Sequence, residues 1–207
     1  MSAAELVASI GVRFPQVSAR PSGDCAAFNV PAEVLLDFLR SLRDEAGYVL
    51  LTDVSGVDWG VDQVPRFGAV YHLLSLTTHD LVRVVTPCSA SEPPRIPSVV
   101  SLWPGADWHE REAFDMFGIR FEGHPDLRRI LMWESYPHFP LRKDFPLAGF
   151  ETVLPDEAVA AETGTKVLPA PMAGGPFVGP PDRAYVRERE PRARDESWNE
   201  RKPKPGN

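Results

Sequence analysis

The sequence contains little cysteine, and the positions of its two cysteines limit the chemistry that it can support. Cys25 and Cys88 are the only cysteines among 207 residues, and neither belongs to a CxxC motif. Because an iron–sulfur cluster normally needs four cysteine ligands, this chain cannot complete such a cluster alone. A disulfide between the two stays open, but we favour two buried free thiols.

Long hydrophobic runs are also missing. No window of the sequence approaches the roughly 18 consecutive apolar residues that a membrane-spanning helix needs. Glu5 and the lack of an early basic patch argue against a secretory signal. We therefore expect a cytoplasmic chain that meets a membrane only through a partner.

Positive charge is scarce as well. The net charge is -7, from 22 Lys and Arg against 29 Asp and Glu. Residues 182–207 hold 8 of the basic and 6 of the acidic residues, which leaves a net charge of -9 on residues 1–181. An acidic body repels the phosphates of nucleic acids and the anionic surface of a membrane. We therefore expect no binding of nucleic acid and no direct docking on lipid.

Recognisable catalytic motifs are absent from the sequence. No GxGxxG follows a predicted strand, and no serine lies in a GxSxG motif. The segment from His109 to Ala113 begins like the HExxH motif of zinc hydrolases, but Ala113 stands in place of the second histidine ligand. The sequence therefore gives no support to a Rossmann dinucleotide site, an α/β-hydrolase or a zinc hydrolase.

A cluster of histidines is compatible with a metal site. His109, His124 and His138 lie in one region of the sequence with Glu112 and Asp115. His109 and Glu112 have the i, i+3 spacing of helical ligands, but the sequence indicates no third ligand. We favour histidines that are exposed or bonded to the backbone.

The acidic residues of the same region are compatible with acid–base catalysis. Glu110, Glu112 and Asp115 would supply the paired carboxylates that such chemistry uses. We favour instead a helix that begins at Asp107 with a capping box to Glu110 and that contains an ion pair between Arg111 and Asp115. In this interpretation the charged side chains stabilise the helix or face a partner.

Hydrophobic periodicity predicts helices and strands in the first two thirds of the chain. An amphipathic helix is expected after Pro31, because apolar residues recur at helical spacing from Val34 to Leu42. Phe67–Leu76 and Leu81–Thr86 are typical of a β-hairpin. The other predicted elements are a helix at Ala3–Val12, strands flanking a turn at Pro21–Asp24, a strand at Tyr48–Leu51, a polar turn at Thr52–Trp59, a short helix at Ser98–Trp103 and a helix from Asp107 to Gly118.

The pattern divides the chain into a domain at residues 1–149 and a tail at residues 150–207. Residues 151–207 contain 9 prolines and no sustained periodicity. Apolar residues nevertheless recur there, from Phe150 to Trp198, and a purely flexible linker would not need them. We therefore predict an extended arm that is either disordered or ordered by lying on a partner.

Three blocks between Trp103 and Leu147 carry a family resemblance. They are EREAFDMFG at Glu110–Gly118, GHPDLRRIL at Gly123–Leu131 and PLRKDFPL at Pro140–Leu147. In this order they resemble the signature of the C-type subunit of the proton-pumping NADH–quinone oxidoreductase, respiratory complex I. The resemblance covers roughly residues 30–150 and includes a weaker match at Asp53–Trp59.

The resemblance implies both a fold and a function. The implied fold is α+β, with a mixed or antiparallel sheet covered by helices and an extended, proline-rich C-terminal arm. The implied function is that of a non-catalytic subunit of the peripheral arm, with no catalytic, metal-binding or cofactor-binding residue of its own. FMN and iron–sulfur clusters would lie in partner subunits. The chain would lie at the cytoplasmic face of the inner (plasma) membrane, beside the D-type subunit and near the B-type and I-type subunits, and would scaffold the quinone-reducing module.

Signature residues are the candidate contacts with these partners. Arginine forks suit carboxylate pairing across an interface, but local salt bridges on a solvated face fit the same pattern. The candidates are Glu110, Arg111, Glu112, Asp115, Gly118, His124, Pro125, Arg128, Arg129, Arg142, Lys143 and Asp144.

Three other functions stay open at this point. The first is the equivalent subunit of a related membrane-bound hydrogenase or of another quinone oxidoreductase complex. The second is a free-standing enzyme built on His109, Glu110 and Glu112. The third is a nucleic-acid adaptor that uses the arginines of residues 183–194, which acidic residues interrupt.

Overall fold

A computed structural model describes residues 12–146 of the chain. Residues 12–134 and Leu141–Lys143 belong to one compact unit, and Ser135–Pro140 and residues 144–146 belong to a second. The predicted helix at the amino end falls almost wholly outside the described residues. The predicted arm at 150–207 and the domain boundary at 149 lie outside them as well. No helix in the described part is both long and apolar enough to cross a bilayer.

The first unit contains two sheets and two α-helices that lie wholly within the described residues. The strands are β1 Ser18–Ala19, β2 Ala26–Asn29, β3 Leu50–Asp58, β4 Phe67–Leu74, β5 Leu81–Pro87, β6 Arg95–Pro97 and β7 Arg120–Glu122. The helices are α1 Leu35–Asp44, preceded by a 3-10 turn at Ala32–Val34, and α2 Ala106–Phe117. The larger sheet has the order β1-β2-β5-β4-β3, and the smaller sheet pairs β6 with β7.

The larger sheet is mixed. Strands β2 and β5 run parallel, whereas β1 with β2, β5 with β4 and β4 with β3 are antiparallel. The smaller sheet is parallel. A mixed sheet with two helices confirms the α+β fold class predicted from the sequence.

The main hydrophobic core lies between the larger sheet and α1. Four buried residues of α1 form the apolar stripe that its sequence predicts: Leu35, Phe38, Leu39 and Leu42. Alternate residues of β4, from Phe67 to Leu73, are buried as well. Each large apolar side chain that leaves water contributes roughly 1.5–3 kcal/mol. This layer is therefore stabilised by apolar area.

Helix α2 packs on β3, close to the edge of the sheet. The ring of Phe117 occupies the space beside Gly56, where a Cβ atom would collide with it. On the neighbouring strand, the ring of Trp59 occupies the space beside Gly68 in the same way. Gly118 follows α2 with a φ of 78° and ends it in the left-handed conformation, as predicted.

Several strand predictions are confirmed. The predicted hairpin corresponds to β4 and β5, which pair from Gly68 to Leu74 on the first strand. The strands expected on either side of the turn at Pro21–Asp24 are β1 and β2, which pair with each other. In each case a turn signal separates two short apolar segments, and the pairing is local in sequence.

Two local predictions are wrong. The polar turn expected at Thr52–Trp59 is instead the body of β3, because these residues pair with β4 as far as Asp58. Partner strands therefore override the low β propensity of this segment. The short helix expected at Ser98–Trp103 is a hydrogen-bonded turn, in which the Trp103 N–H donates to the Val99 carbonyl.

Candidate functional site in the signature segment

Helix α2 carries three charged residues on its buried side. Glu110, Arg111 and Asp115 are at most 7% exposed. Leaving a buried charge without a partner costs about 3–5 kcal/mol, so each of these side chains needs a compensating contact. Their contacts come from irregular segments of the chain, which α2 thereby holds in place.

Asp115 fixes the segment that follows β7. Its carboxylate pairs with the Arg129 guanidinium, and both side chains are almost fully buried. The other carboxylate oxygen accepts the N–H groups of Ile130, Leu131 and Met132 at 3.0, 2.6 and 2.8 Å. One acidic side chain therefore satisfies three consecutive backbone donors that no strand or helix would satisfy.

Arg111 holds the same segment from the other side of its backbone. Its guanidinium donates to the carbonyls of Arg128 and Arg129 at 3.2 and 3.1 Å. The guanidinium also lies over the ring of Trp108, 5.2 Å from the centroid. The predicted ion pair between Arg111 and Asp115 is therefore wrong, because each side chain binds the segment and not the other.

Glu110 points into the core. It is fully buried, and its carboxylate accepts the Ser98 hydroxyl at 2.7 Å and the Val99 N–H at 2.6 Å. Burial raises the pKa of Glu110 to about 7, although these two hydrogen bonds act in the opposite direction. The predicted capping box is wrong, because Gly105 occupies the N-cap position and Glu110 is turned inward.

Asp58, at the end of β3, is a second buried carboxylate anchor. Its oxygens accept from the Arg66 guanidinium at 3.0 and 2.6 Å, from the Gly60 N–H at 2.9 Å and from the Lys143 N–H at 2.8 Å. Burial acts to raise its pKa, but these hydrogen bonds outweigh it and lower the pKa to about 2. Asp58 therefore ties the last signature block to the sheet.

Arg142 completes this second anchor. Its guanidinium donates to the Phe117 carbonyl at 2.7 Å, near the carboxyl end of α2. It also lies 4.7 Å from the centroid of the Phe67 ring and 3.3 Å from Glu92. Only 15% of the Arg142 side chain is exposed, so its charge acts mainly inside the fold.

The histidines have separate environments. The His124 side chain is buried and its Nε2 lies 3.0 Å from Asp107, whereas the half-buried His109 has its Nδ1 3.7 Å from Asp53. In the second unit, His138 contacts an aromatic ring on each side, those of Tyr136 and Phe145. Within residues 12–146, no group of three His, Cys, Asp or Glu side chains could hold a metal ion.

The remaining signature residues lie at the surface or at turns. Glu112, Pro125, Lys143 and Asp144 are exposed, and Arg128 pairs with Asp126 in an ion pair whose side chains are 62% and 60% exposed. Gly118 ends α2, as described above. The signature thus divides into buried residues that shape the chain and residues whose side chains reach the surface.

Sequence reasoning missed Asp58, Arg66 and Ser98 as parts of this framework. Asp58 bonds to Arg66 and Lys143, which lie 8 and 85 residues away, and Ser98 bonds to Glu110, which lies 12 residues away, so no local spacing reveals these pairs. A weak signal existed for Asp58, which shares the buried face of β3 with Val54. An acidic residue at an inward position of a strand indicates a buried anchor.

The two cysteines lie at opposite ends of β5. Cys25 immediately precedes Ala26, which pairs with Val82, whereas Cys88 follows the last residue of the strand. An extended strand of this length separates them by about 20 Å. Both thiols are free. Cys88 is buried as expected, and burial raises its pKa to about 12. The expected burial of Cys25 is wrong, because this residue is partly exposed.

Comparisons with known proteins give consistent results. Residues 28–151 match the family described as "Respiratory-chain NADH dehydrogenase, 30 Kd subunit". A C-type subunit of the NADH-quinone oxidoreductase of Rhizobium meliloti (strain 1021) is 51% identical over 130 residues, which is 62% of this chain and 70% of that protein. The C-type subunit of the NADH-quinone oxidoreductase of Phenylobacterium zucineum (strain HLK1) is 47% identical over 127 residues, 61% of this chain and 59% of that protein.

A solved structure is similar as well. One chain of the "membrane-bound sulfane sulfur reductase (MBS), an archaeal respiratory membrane complex" superposes with a TM-score of 0.58 at 26% identity. The superposition covers 81% of this chain and 93% of that one. From the match over residues 28–151 and these relatives, the chain belongs to the family of the 30 Kd subunit of respiratory-chain NADH dehydrogenase.

Proposed function

We propose that this chain is a non-catalytic subunit of the peripheral arm of a proton-translocating NADH–quinone oxidoreductase. In this role it scaffolds the quinone-reducing module beside the D-type subunit and near the B-type and I-type subunits. The observation that supports the scaffold role is the hydrogen bonding of the Glu110, Arg111 and Asp115 side chains to backbone groups. All three bind backbone groups of irregular segments, so the charges of α2 rigidify a surface.

The same framework presents apolar side chains to solvent. Trp108, Leu131 and Leu141 are 61%, 59% and 54% exposed, and each lies on α2 or on a segment bonded to α2. Large apolar groups held on a rigid surface are typical of protein–protein contacts, and Trp is enriched among the residues that dominate binding. We therefore assign this side of the first unit to contact with neighbouring subunits.

Electrons would pass through the partner subunits. In the proposed complex, FMN and iron–sulfur clusters carry them from NADH to quinone, and none of these groups is held by this chain. The separation of Cys25 and Cys88 by about 20 Å supports this assignment, because the two thiols cannot share one cluster. The chain would reach the cytoplasmic face of the membrane only as part of the complex.

Purification of the tagged, full-length chain from solubilised membranes tests the proposal. The expected result is co-purification of D-type, B-type and I-type subunits, identified by mass spectrometry. The chain separated from them should contain no stoichiometric iron, zinc or flavin. A chain that purifies from membranes without any respiratory subunit, or that holds a redox group alone, would overturn the proposal.

A second candidate is the equivalent subunit of a related respiratory membrane complex. The likeness to a chain of the sulfane sulfur reductase complex favours it, since that complex is named for a different reaction. The same purification separates the two candidates. Companions that include an NADH-oxidising flavoprotein support the first, and companions without one support the second.

The arm at residues 150–207 would wrap a neighbouring subunit in this assembly. Its prolines and recurring apolar residues support that role. Limited proteolysis of the purified chain, alone and in the complex, tests it. The arm should be cleaved first in the isolated chain and be protected in the complex. Equal resistance of arm and domain in the isolated chain would contradict the idea.

A further inference from the structure

Strand β3 has one edge that no other strand of the described residues covers. The Trp59 N–H donates to the Arg66 carbonyl on the side of β4. Because peptide groups alternate along an antiparallel strand, the odd-numbered residues of this part of β3 bond to β4. The N–H and C=O groups of Val54 and Gly56 therefore point away from the sheet.

Among the described residues, the N–H and C=O groups of Val54 and Gly56 have no backbone hydrogen-bond partner on this side of β3. An uncovered row of donors and acceptors is a template for another extended chain. Proteins usually block such an edge with a bulge, a proline or a charge that points inward. The one register shift of β3 lies before Asp53, so the edge at Val54 and Gly56 stays regular.

A cleft of about 380 Å³ lies along this edge, between β3 and α2. Its apolar lining includes Ala113, Met116 and Leu141. Ser55, His109 and Glu112 line its more exposed side. The cleft therefore combines backbone bonding groups with apolar surface, as sites that bind extended peptides do.

The rim of the cleft is acidic. Asp53 and Glu112 both line it, and within residues 12–146 neither pairs with a lysine or an arginine. The ionisable neighbours of Asp53 are His72 and His109, whose Nδ1 atoms lie 3.5 and 3.7 Å from its carboxylate. The rim thus favours an incoming positive charge.

We propose that this cleft binds an extended segment of a neighbouring subunit that carries a lysine or arginine. The segment adds a strand to the edge of β3 at Val54 and Gly56, and its basic side chain lies between Asp53 and Glu112. The proposal rests on the assembly role proposed above and specifies the chemistry of one contact.

The charges argue against two other occupants. Residues 147–165, the first 19 of the residues that follow the described region, contain four acidic residues and no Lys, Arg or His. Placing them against Asp53 and Glu112 would bring like charges together. A second copy paired edge to edge would do the same with its own rim, since a two-fold contact joins identical patches.

Photo-crosslinking in assembled membranes is the direct test. The photoreactive residue p-benzoylphenylalanine replaces Ser55 on the rim, or Val61 in the β3–β4 connection as an exposed control. The expected result is a crosslink from position 55, and not from position 61, to a co-purifying subunit. Fragment sequencing should place the crosslinked site within about three residues of a Lys or Arg. Crosslinks from position 55 to residues 147–207 or to a second copy would overturn the proposal.

Hydrogen exchange tests the backbone pairing. In the isolated full-length chain, the amides of Ser55 and Val57 should be protected by β4, and those of Val54 and Gly56 should exchange at least tenfold faster. In the purified complex, all four should be protected. Fast exchange of Val54 and Gly56 in both states would show that no strand is added at this edge.

A charge reversal tests the recognition of the basic side chain. Glu112→Lys should weaken retention of the crosslinked subunit by about tenfold, which corresponds to about 1.4 kcal/mol. Asp62→Lys makes the same kind of change at an exposed position outside the cleft and should leave retention unchanged. Equal retention by both variants would contradict the inference while the wild-type chain still carried its companions. A wild-type chain without companions would instead defeat the proposed function.

Discussion

The larger sheet and the segment that follows β7 are stabilised in different ways. In the sheet, alternate apolar residues of β4 and the stripe of α1 remove area from water. In residues 123–134 the described chain forms no helix or strand, and charged side chains of α2 bond its backbone. Apolar packing tolerates conservative substitution, whereas a buried charge that loses its partner does not. The same chain thus contains an apolar layer that tolerates conservative substitution and a segment whose stability is sensitive to the loss of a single charge.

The largest expected effect comes from removing the charge of Asp115. Asp115→Asn would remove the negative charge that pairs with the buried Arg129 guanidinium, so the free energy of unfolding should fall by about 3–5 kcal/mol. Urea denaturation followed by circular dichroism measures it. The matched control, Asp126→Asn, disrupts an exposed pair and should change stability by less than about 0.5 kcal/mol. Similar losses in the two variants would remove the distinction between buried and exposed signature residues.

The next effect depends on pH and on Glu110. Its pKa is about 7 in the folded chain against an ordinary 4.5, so the native state binds more protons between these values. Stability should therefore fall as pH rises through this window, by about 3 kcal/mol, and level off above it. Glu110→Gln keeps an acceptor for the Ser98 hydroxyl and should flatten this dependence. Urea midpoints measured from about pH 5 to pH 8 compare the two proteins. Parallel curves would mean that another group causes the slope.

Arg142 and Lys143 are adjacent in sequence, but the Arg142 side chain is mostly buried whereas Lys143 is exposed. Arg142→Gln would weaken the contacts to the Phe117 carbonyl and the Phe67 ring, so unfolding should require about 2 kcal/mol less. Lys143→Gln keeps the N–H that bonds Asp58, and its exposed side chain should matter little to the isolated fold. Thermal denaturation of both variants gives the comparison. A larger loss for Lys143→Gln would reverse these assignments.

The smallest effect concerns labelling of the thiols and leaves stability unchanged. Cys88 is buried with a raised pKa, so little thiolate is available, whereas Cys25 is partly exposed. Native protein treated with iodoacetamide should be modified at Cys25, and Cys88 should react only after unfolding. Peptide mass mapping separates the two sites. Rapid native labelling of Cys88 would show that the end of β5 opens readily.

Local sequence patterns predicted the elements of the sheet better than they predicted the contacts of the signature residues. The β4–β5 hairpin and the α1 stripe are visible because each depends on residues close in sequence. The body of β3 was missed because its polar composition resembles a turn, and only pairing with β4 makes it a strand.

The framework around α2 was largely beyond sequence reasoning. A capping box and an i, i+4 ion pair were reasonable for Glu110 and Asp115, since both patterns are local. The true partner of Glu110 lies 12 residues before it, and Arg129 lies 14 residues after Asp115. The resemblance to a known family indicated that these residues matter, but only the structure indicates what they hold.

The glycines at positions 56 and 68 have a consequence for how the sequence can vary. They lie on adjoining strands, one beneath the Phe117 ring on the core face and the other beneath the Trp59 ring on the opposite face. The β3–β4 pair therefore packs against one aromatic ring on each face of the sheet, at adjacent positions along the strands. Saturation mutagenesis should find that even alanine at either site lowers the yield of folded protein, because its methyl group would occupy the space of the aromatic ring and displace it from the strand.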